Sequence, residues 1–134
     1  MASGKTILIV DDDVELSDGL RIVLEKLGHR VIQARDGQQG KQMVYQHRPD
    51  LMILDMMMPR MGGYPVLEHF RGKNDAPPVI MITANEGSRH KAYAEYLGVQ
   101  DYIRKPFAME RLLEAVNRAL NPPAKPPVED ASKN

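Results

Sequence analysis

Pro49-Asp50-Leu51-Met52-Ile53-Leu54-Asp55-Met56-Met57-Met58-Pro59-Arg60-Met61-Gly62-Gly63 is the stretch on which the reading of the fold turns. Its apolar run, Leu51 to Leu54, stops at a carboxylate and is followed by Pro59 and a pair of glycines. A short apolar run bounded by turn residues is a fully buried strand of a parallel sheet. Ligands of open parallel sheets bind just beyond the carboxyl ends of the strands. Asp55 stands at such an end, where a charge is partly shielded from water and can still reach a ligand. Asp is also common in turns and helix caps, so its role depends on the other strand ends.

Those ends repeat the pattern. Thr6–Val10 is β-branched and apolar, a buried strand that runs into Asp11-Asp12-Asp13. Adjacent carboxylates repel: at an effective dielectric of 20, two charges about 4 Å apart interact by roughly 4 kcal/mol. A cation or a helix N-terminus would offset that cost. Leu16, Leu20, Val23, Leu24 and Leu27 recur at helical spacing up to a capping Gly28, and Asp13 reads as the N-cap of this helix. Asp11 and Asp12 are left without a structural reason. His29–Ala34 reads as a second strand, and Asp36-Gly37 opens a helix with a weak apolar face, Met43 and Val44. Met56-Met57-Met58 reads as packing by flexible side chains. A third helix spans Tyr64–Phe70. Pro77-Pro78 forces an extended entry into a fourth strand, Val79–Thr83. A helix over Arg89–Leu97 stops at Gly98, Asp101–Arg104 is a short fifth strand, and Met109, Leu112, Leu113, Val116 and Leu120 mark an amphipathic last helix. Five strand–helix alternations predict an α/β fold, a doubly wound parallel sheet with helices on both faces in three layers.

Composition narrows the function. The 134 residues, 43% hydrophobic, suffice for one domain with one core. Eighteen basic residues balance eighteen acidic ones, so no net field draws the chain to nucleic acid or to an anionic membrane. Cysteine is absent, which removes disulfides, thiolate metal sites and thiol catalysis. No signal peptide or membrane-length apolar run is present, so a cytoplasmic location is expected. Residues 1–5 read as a flexible N-terminus, 6–120 as the domain, and 121–134, with Pro122, Pro123, Pro126 and Pro127, as a disordered tail or linker.

Parallel strands share a direction, so Asp11, Asp12, Asp55, Thr83 and Lys105 all come to one edge of the sheet. Hard oxygen ligands without His or Cys suit Mg²⁺. A lysine beside them neutralises a carboxylate or a phosphoryl oxygen. A carboxylate in such company can attack phosphorus and become an aspartyl phosphate.

Ile7-Leu8-Ile9-Val10-Asp11-Asp12-Asp13, the stretch Pro49–Gly63, Ile80-Met81-Ile82-Thr83-Ala84 and Asp101-Tyr102-Ile103-Arg104-Lys105-Pro106-Phe107 together resemble the receiver domain of two-component response regulators, from about Lys5 to Leu120. The resemblance implies a flavodoxin-like sheet of order 2-1-3-4-5 with five helices. It implies Asp55 as phosphoacceptor, Mg²⁺ held by Asp12, Asp55 and the main-chain carbonyl of Met57, and Asp11 acting through water. Thr83 and Lys105 would bind phosphoryl oxygens, Ala84 would leave room for the group, and the Lys105–Pro106 bond would be cis and aim the lysine inward. Tyr102 matches the family's switch aromatic and equally reads as a half-buried strand tyrosine. Met57 and Asn85 flank the path of the hydrolytic water, and Asn85 is expected to matter more for dephosphorylation because its amide can orient water.

The implied function is a phosphorylation-activated signalling switch, not an enzyme beyond its own phosphotransfer and dephosphorylation. The implied partners are a sensor histidine kinase or phosphotransfer protein, and a downstream protein or effector domain reached through the face of the fourth helix, fifth strand and fifth helix. A phosphorylation-dependent dimer is admitted, and contact with nucleic acid or membrane is not expected. Two rivals differ in chemistry. A haloacid-dehalogenase-like phosphohydrolase would use Asp11 in Asp11-Asp12-Asp13-Val14-Glu15, but Glu15 stands where that pattern has Thr or Val. A pseudo-receiver would act by binding alone, but its acidic and lysine positions are usually lost, and here all are present. A Ca²⁺ loop at Asp11–Gly19 lacks its sixth-position glycine and terminal Glu, and Gly4-Lys5-Thr6 lacks the upstream half of a P-loop.

Overall fold

The computed structural model describes residues 4–84 and 87–122. Strand and helix alternate as β1 (Thr6–Val10), α1 (Val14–Lys26), β2 (Arg30–Ala34), α2 (Gly37–His47), β3 (Leu51–Asp55), α3 (Gly63–Phe70), β4 (Val79–Thr83), α4 (Ser88–Tyr96), β5 (Asp101–Arg104) and α5 (Met109–Leu120). The five strands pair in parallel in the order β2-β1-β3-β4-β5. The expected α/β, flavodoxin-like fold is therefore present. The order reverses between β1 and β3, so the connections leaving these two strands run to opposite sides and open a crevice at their carboxyl ends.

The period-2 alternation of strand side chains splits the core in two. Ile7, Ile9, Leu51, Ile53, Ile80, Ile82 and Ile103 face α1 and α5, where they meet Leu20, Leu24, Leu112 and Val116. Leu8, Val10, Met52, Leu54, Met81 and Tyr102 face α2, α3 and α4, meeting Val44, Val66, Leu67, Phe70 and Ala94. Every residue of β3 and β4 is buried. Strands buried on both faces are continuous hydrophobic runs in sequence, which is why they read so directly. Each fully buried Ile or Leu contributes about 1.5–3 kcal/mol of transfer free energy, so the central strands anchor the sheet edge that carries the polar residues.

Helix ends follow local chemistry. Asp13 Oδ1 accepts the Leu16 N–H at 3.1 Å and Asp36 Oδ1 accepts the Gln39 N–H at 2.9 Å, capping α1 and α2. Gly28, at φ 97°, ends α1 in a conformation that L side chains rarely adopt. The His29 N–H still bonds Leu24 O at 3.2 Å, so β2 begins at Arg30 rather than at His29. α3 starts at Gly63, one residue before the expected Tyr64, and α4 covers Ser88–Tyr96 rather than Arg89–Leu97. The weak apolar face of α2 has a steric explanation. A Cβ on Gly40 would lie 2.9 Å from Val10 Cγ2, so this helix packs by close approach as well as by side chains. No helix among the described residues is long and apolar enough to cross a membrane. The expected flexible N-terminus falls mainly on residues 1–3 and the expected tail on 123–134, which lie outside the described residues.

Candidate functional site

β1 hands its direction to Asp11, whose N–H continues the ladder to Ala34 O at 3.1 Å. The Asp11 side chain is fully buried; its Oδ1 accepts the Asp13 N–H at 2.9 Å. The three consecutive acids thus have three fates. Asp13 caps α1, Asp12 is exposed, and Asp11 turns under the crevice. β3 ends in Asp55, buried and in register with Ile82. Carboxylate oxygens of Asp11, Asp12 and Asp55 all lie within 4.8 Å of one another.

Lys105 follows β5. Its N–H bonds Thr83 O at 2.8 Å, and its bond to Pro106 is cis as expected. The ammonium lies 3.2 Å from Asp11 Oδ2 and 3.7 Å from Asp55 Oδ2. Burial, and after it the Asp11 carboxylate, push the Asp55 carboxyl up to about 7, while the Lys105 ammonium and the Met57 N–H, 3.3 Å from Asp55 Oδ1, pull it down. Three carboxylates facing one ammonium leave an excess of negative charge, held by oxygen donors without nitrogen or sulfur. This is the donor set of a small hard divalent cation such as Mg²⁺.

Thr83 is fully buried one residue beyond Ile82, with Oγ1 3.9 Å from Met56 Sδ. Ala84 is exposed after it. Strand alternation puts Thr83 on the same face as Met81, and Met81 is in register with Tyr102. Thr83 and Tyr102 therefore both face the α2–α4 side. Tyr102 is 9% exposed, and its hydroxyl is buried with no hydrogen-bond partner among the described residues. The methionine run divides: Met56 is core, Met58 is partly buried against it, and the Met57 side chain is 60% exposed. The packing expectation thus holds for two of the three. Asn85 lies outside the described residues.

Asp11 has no accessible surface and both its oxygens are engaged, by Lys105 and by the Asp13 N–H. That is poor placement for the nucleophile of a hydrolase. Sequence reading missed two groups around the site. One is the pair Asp36–Arg60, joined at 2.8 Å across 24 residues. The other is an aromatic seam in which the Tyr64 hydroxyl donates to His90 O at 2.7 Å, Tyr64 packs edge-on against Tyr93, and the Tyr93 hydroxyl donates to Glu68. Neither has a local signal, because isolated charged residues in turns and aromatic residues on helices read as solvated surface. The left-handed backbone of Arg60, at φ 67°, is likewise invisible in a residue type that seldom adopts it.

Comparison with known proteins agrees with this geometry. The sequence model of the response regulator receiver domain matches residues 7–117. The response regulator MprA of Mycobacterium tuberculosis H37Rv is 39% identical over 128 residues, covering 96% of this chain and 54% of that protein. MprA of Mycobacterium leprae is 38% identical over 128 residues, covering 96% and 55%. The chain thus spans about half the length of these curated relatives. Among solved structures, a CheY-like response regulator receiver domain protein from Methanospirillum hungatei JF-1 superposes with a TM-score of 0.83 at 29% identity, over 89% of this chain and 95% of that one. The non-phosphorylated HemR receiver domain of Leptospira biflexa gives 0.82 at 27% identity, over 91% and 98%. With the strand order, the acidic crevice and these matches in agreement, the chain belongs to the response regulator receiver domain family.

Proposed function

We propose that Asp55 accepts a phosphoryl group from a phosphohistidine on a sensor kinase or phosphotransfer protein. A carboxylate oxygen of Asp55 forms the new bond to phosphorus while the P–N bond of the donor breaks, and its electron pair leaves with the imidazole nitrogen. The observation that carries this reading is the convergence of Asp11, Asp12 and Asp55 within 4.8 Å with Lys105 Nζ 3.7 Å from Asp55 Oδ2. That the chain works as a phosphorylation-activated switch of a two-component system follows from its family.

Asp12, Asp55 and the main-chain carbonyl of Met57 would hold Mg²⁺, with Asp11 acting through water. When bound, the cation supplies charge neutralisation for the carboxylates and the phosphoryl oxygens. Lys105 neutralises a phosphoryl oxygen as a point charge, and Thr83 donates its hydroxyl to another. The phosphoryl group brings negative charge and acceptor oxygens to the crevice. Drawing Thr83 toward it opens space on the face that Tyr102 shares, and the surface of α4, β5 and α5 changes for a downstream partner. This shifts a population only as far as the phosphoryl group favours one arrangement over the other.

Intact mass after incubation with Mg²⁺ and acetyl phosphate tests the assignment. One added phosphoryl group on the parent and none on Asp55→Asn is expected. Uptake retained in Asp55→Asn but lost in Asp11→Asn would overturn it in favour of the hydrolase-type nucleophile.

A further inference from the structure

The loop between β3 and α3, residues 56–62, is fastened to a helix from elsewhere in the chain. Arg60 Nε donates to Asp36 Oδ2 at 2.8 Å, pairing a guanidinium that is 73% exposed with a buried carboxylate. Arg60 does so from a backbone with φ 67°, the left-handed region that costs a non-glycine residue energy. One residue on, the Gly37 N–H donates to Met61 O at 2.8 Å, and a Cβ on Gly37 would sit 2.5 Å from that oxygen. Arg60 and Met61 are thus gripped by Asp36 and Gly37 at the start of α2. Capping does not require the arginine: Asp36 Oδ1 already accepts the Gln39 N–H, and Oδ2 is left for the loop. The same loop carries Met57, whose own N–H makes only a 3.3 Å contact to Asp55 Oδ1.

We propose that Arg60, clasped by Asp36, is a positioning residue for the cation site, holding the loop so that the Met57 carbonyl is aimed into the crevice. The proposal rests on the reading of Asp12, Asp55 and the Met57 carbonyl as Mg²⁺ ligands. Mg²⁺ demands near-octahedral geometry and tolerates displaced ligands poorly. A carbonyl on a seven-residue loop meets that demand only if something outside the loop fixes it. The ion pair and the Gly37–Met61 hydrogen bond are such fixings, and the pair can be removed without touching a ligand.

Electrostatics alone and positioning predict different signs. As a bare charge, Arg60 repels a divalent cation, so removing it would tighten Mg²⁺ binding, whereas removing the Asp36 charge would weaken it. As a clasp, either loss weakens binding. Asp36→Asn keeps a good N-cap for α2, and Arg60→Gly accepts the left-handed backbone, so both variants should fold. The experiment is Mg²⁺ titration by calorimetry of the parent, both single variants and the double variant, with Asp12→Asn as control. Backbone amide resonances of Met57 and Met58 are followed with and without Mg²⁺. Each single variant is expected to weaken Mg²⁺ about fivefold to tenfold. The double variant should be no weaker than the singles, because both break one contact. The Met57 amide should shift in the metal-free protein while urea midpoints stay near that of the parent. Tighter binding by Arg60→Gly, unchanged binding by both singles, or additive losses would overturn the clasp while leaving the metal reading standing. A parent that binds no better than Asp12→Asn would overturn the metal reading and the clasp with it.

Discussion

Lys105 Nζ lies 3.2 Å from Asp11 Oδ2, so an ion pair joins the ends of β5 and β1 across the two strands that separate them in the sheet. The Asp11 side chain has no exposed surface and that of Lys105 is 21% exposed. Removing one partner of a fully buried pair costs roughly 3–5 kcal/mol. Lys105 keeps contact with water, so Lys105→Met is expected to lose about 2 kcal/mol of unfolding free energy in chelator. Saturating Mg²⁺ should recover most of that loss, because a bound divalent cation takes over the neutralisation. Urea titrations with and without Mg²⁺ check it. Phosphoryl uptake from acetyl phosphate should fall by roughly a hundredfold in the same variant.

Tyr102 presents the opposite case, a buried hydroxyl without a partner among the described residues. A buried donor left unsatisfied costs about 1–3 kcal/mol. Tyr102→Phe should therefore be more stable than the parent by about 1 kcal/mol, with an unchanged urea m-value. A loss of stability would mean that the hydroxyl is satisfied in solution.

Gly63 sits against the peptide of the proposed phosphoacceptor. A Cβ there would lie 2.7 Å from Asp55 O and 3.0 Å from Met56 Cα, both main-chain atoms that cannot swing aside. Gly63→Ala is expected to cost about 1–3 kcal/mol and to slow phosphoryl uptake, because relief comes only by moving the end of β3. Stability from urea unfolding and uptake rate by intact mass should fall together.

Asp101 gives a pH dependence with a definite sign. The Arg111 guanidinium, with Nη2 at 2.8 Å and Nη1 at 3.2 Å, and after it Arg118 at 2.9 Å hold its carboxyl below the ordinary Asp value of 3.8. A depressed carboxyl stabilises the fold above its unfolded value, and that stabilisation is lost as pH falls through the folded value. Arg118 is 62% exposed and Arg111 40%, so screening keeps the contribution near about 1 kcal/mol. Asp101→Asn should be less stable than the parent at pH 7 by about that amount. The gap should stay constant down to about pH 4 and close below it. Urea unfolding at pH 7, 5 and 3 measures it.

The sheet and its polar edge were legible because both are written in short runs. Ile7 to Val10, Leu51 to Leu54 and Val79 to Ile82 are apolar without interruption and end in polar residues, so parallel direction alone gathers Asp11, Asp55 and Thr83. What stayed hidden depends on distance along the chain. Asp36 and Arg60 are 24 residues apart, and Tyr64 and His90 are 26 apart. Each residue alone is an ordinary surface type. The thin apolar face of α2 understated its packing for a related reason, since Gly40 records close approach by having no side chain at all.

The helix that carries the proposed output surface is also the one with the shallowest footing. Among the described side chains of α4, Ala94 is the one that is buried; Tyr93 and Tyr96 are 38% and 62% exposed. Beyond its packing on β5, it is tied by hydrogen bonds and ring contacts to α3 and to the residue that follows it: Tyr64 to His90 O, Tyr93 to Glu68, and Arg71 over the ring of Tyr96 at 4.2 Å. Contacts at a solvent-facing seam can be exchanged one at a time, whereas a side chain sunk in the core must leave all at once. A buried methyl contributes only about 0.8 kcal/mol, so α4 can be re-seated without unfolding anything beneath it. If α4 is the part that the proposed switch displaces, the sheet beneath it keeps the acidic crevice in place while the helix shifts on its surface.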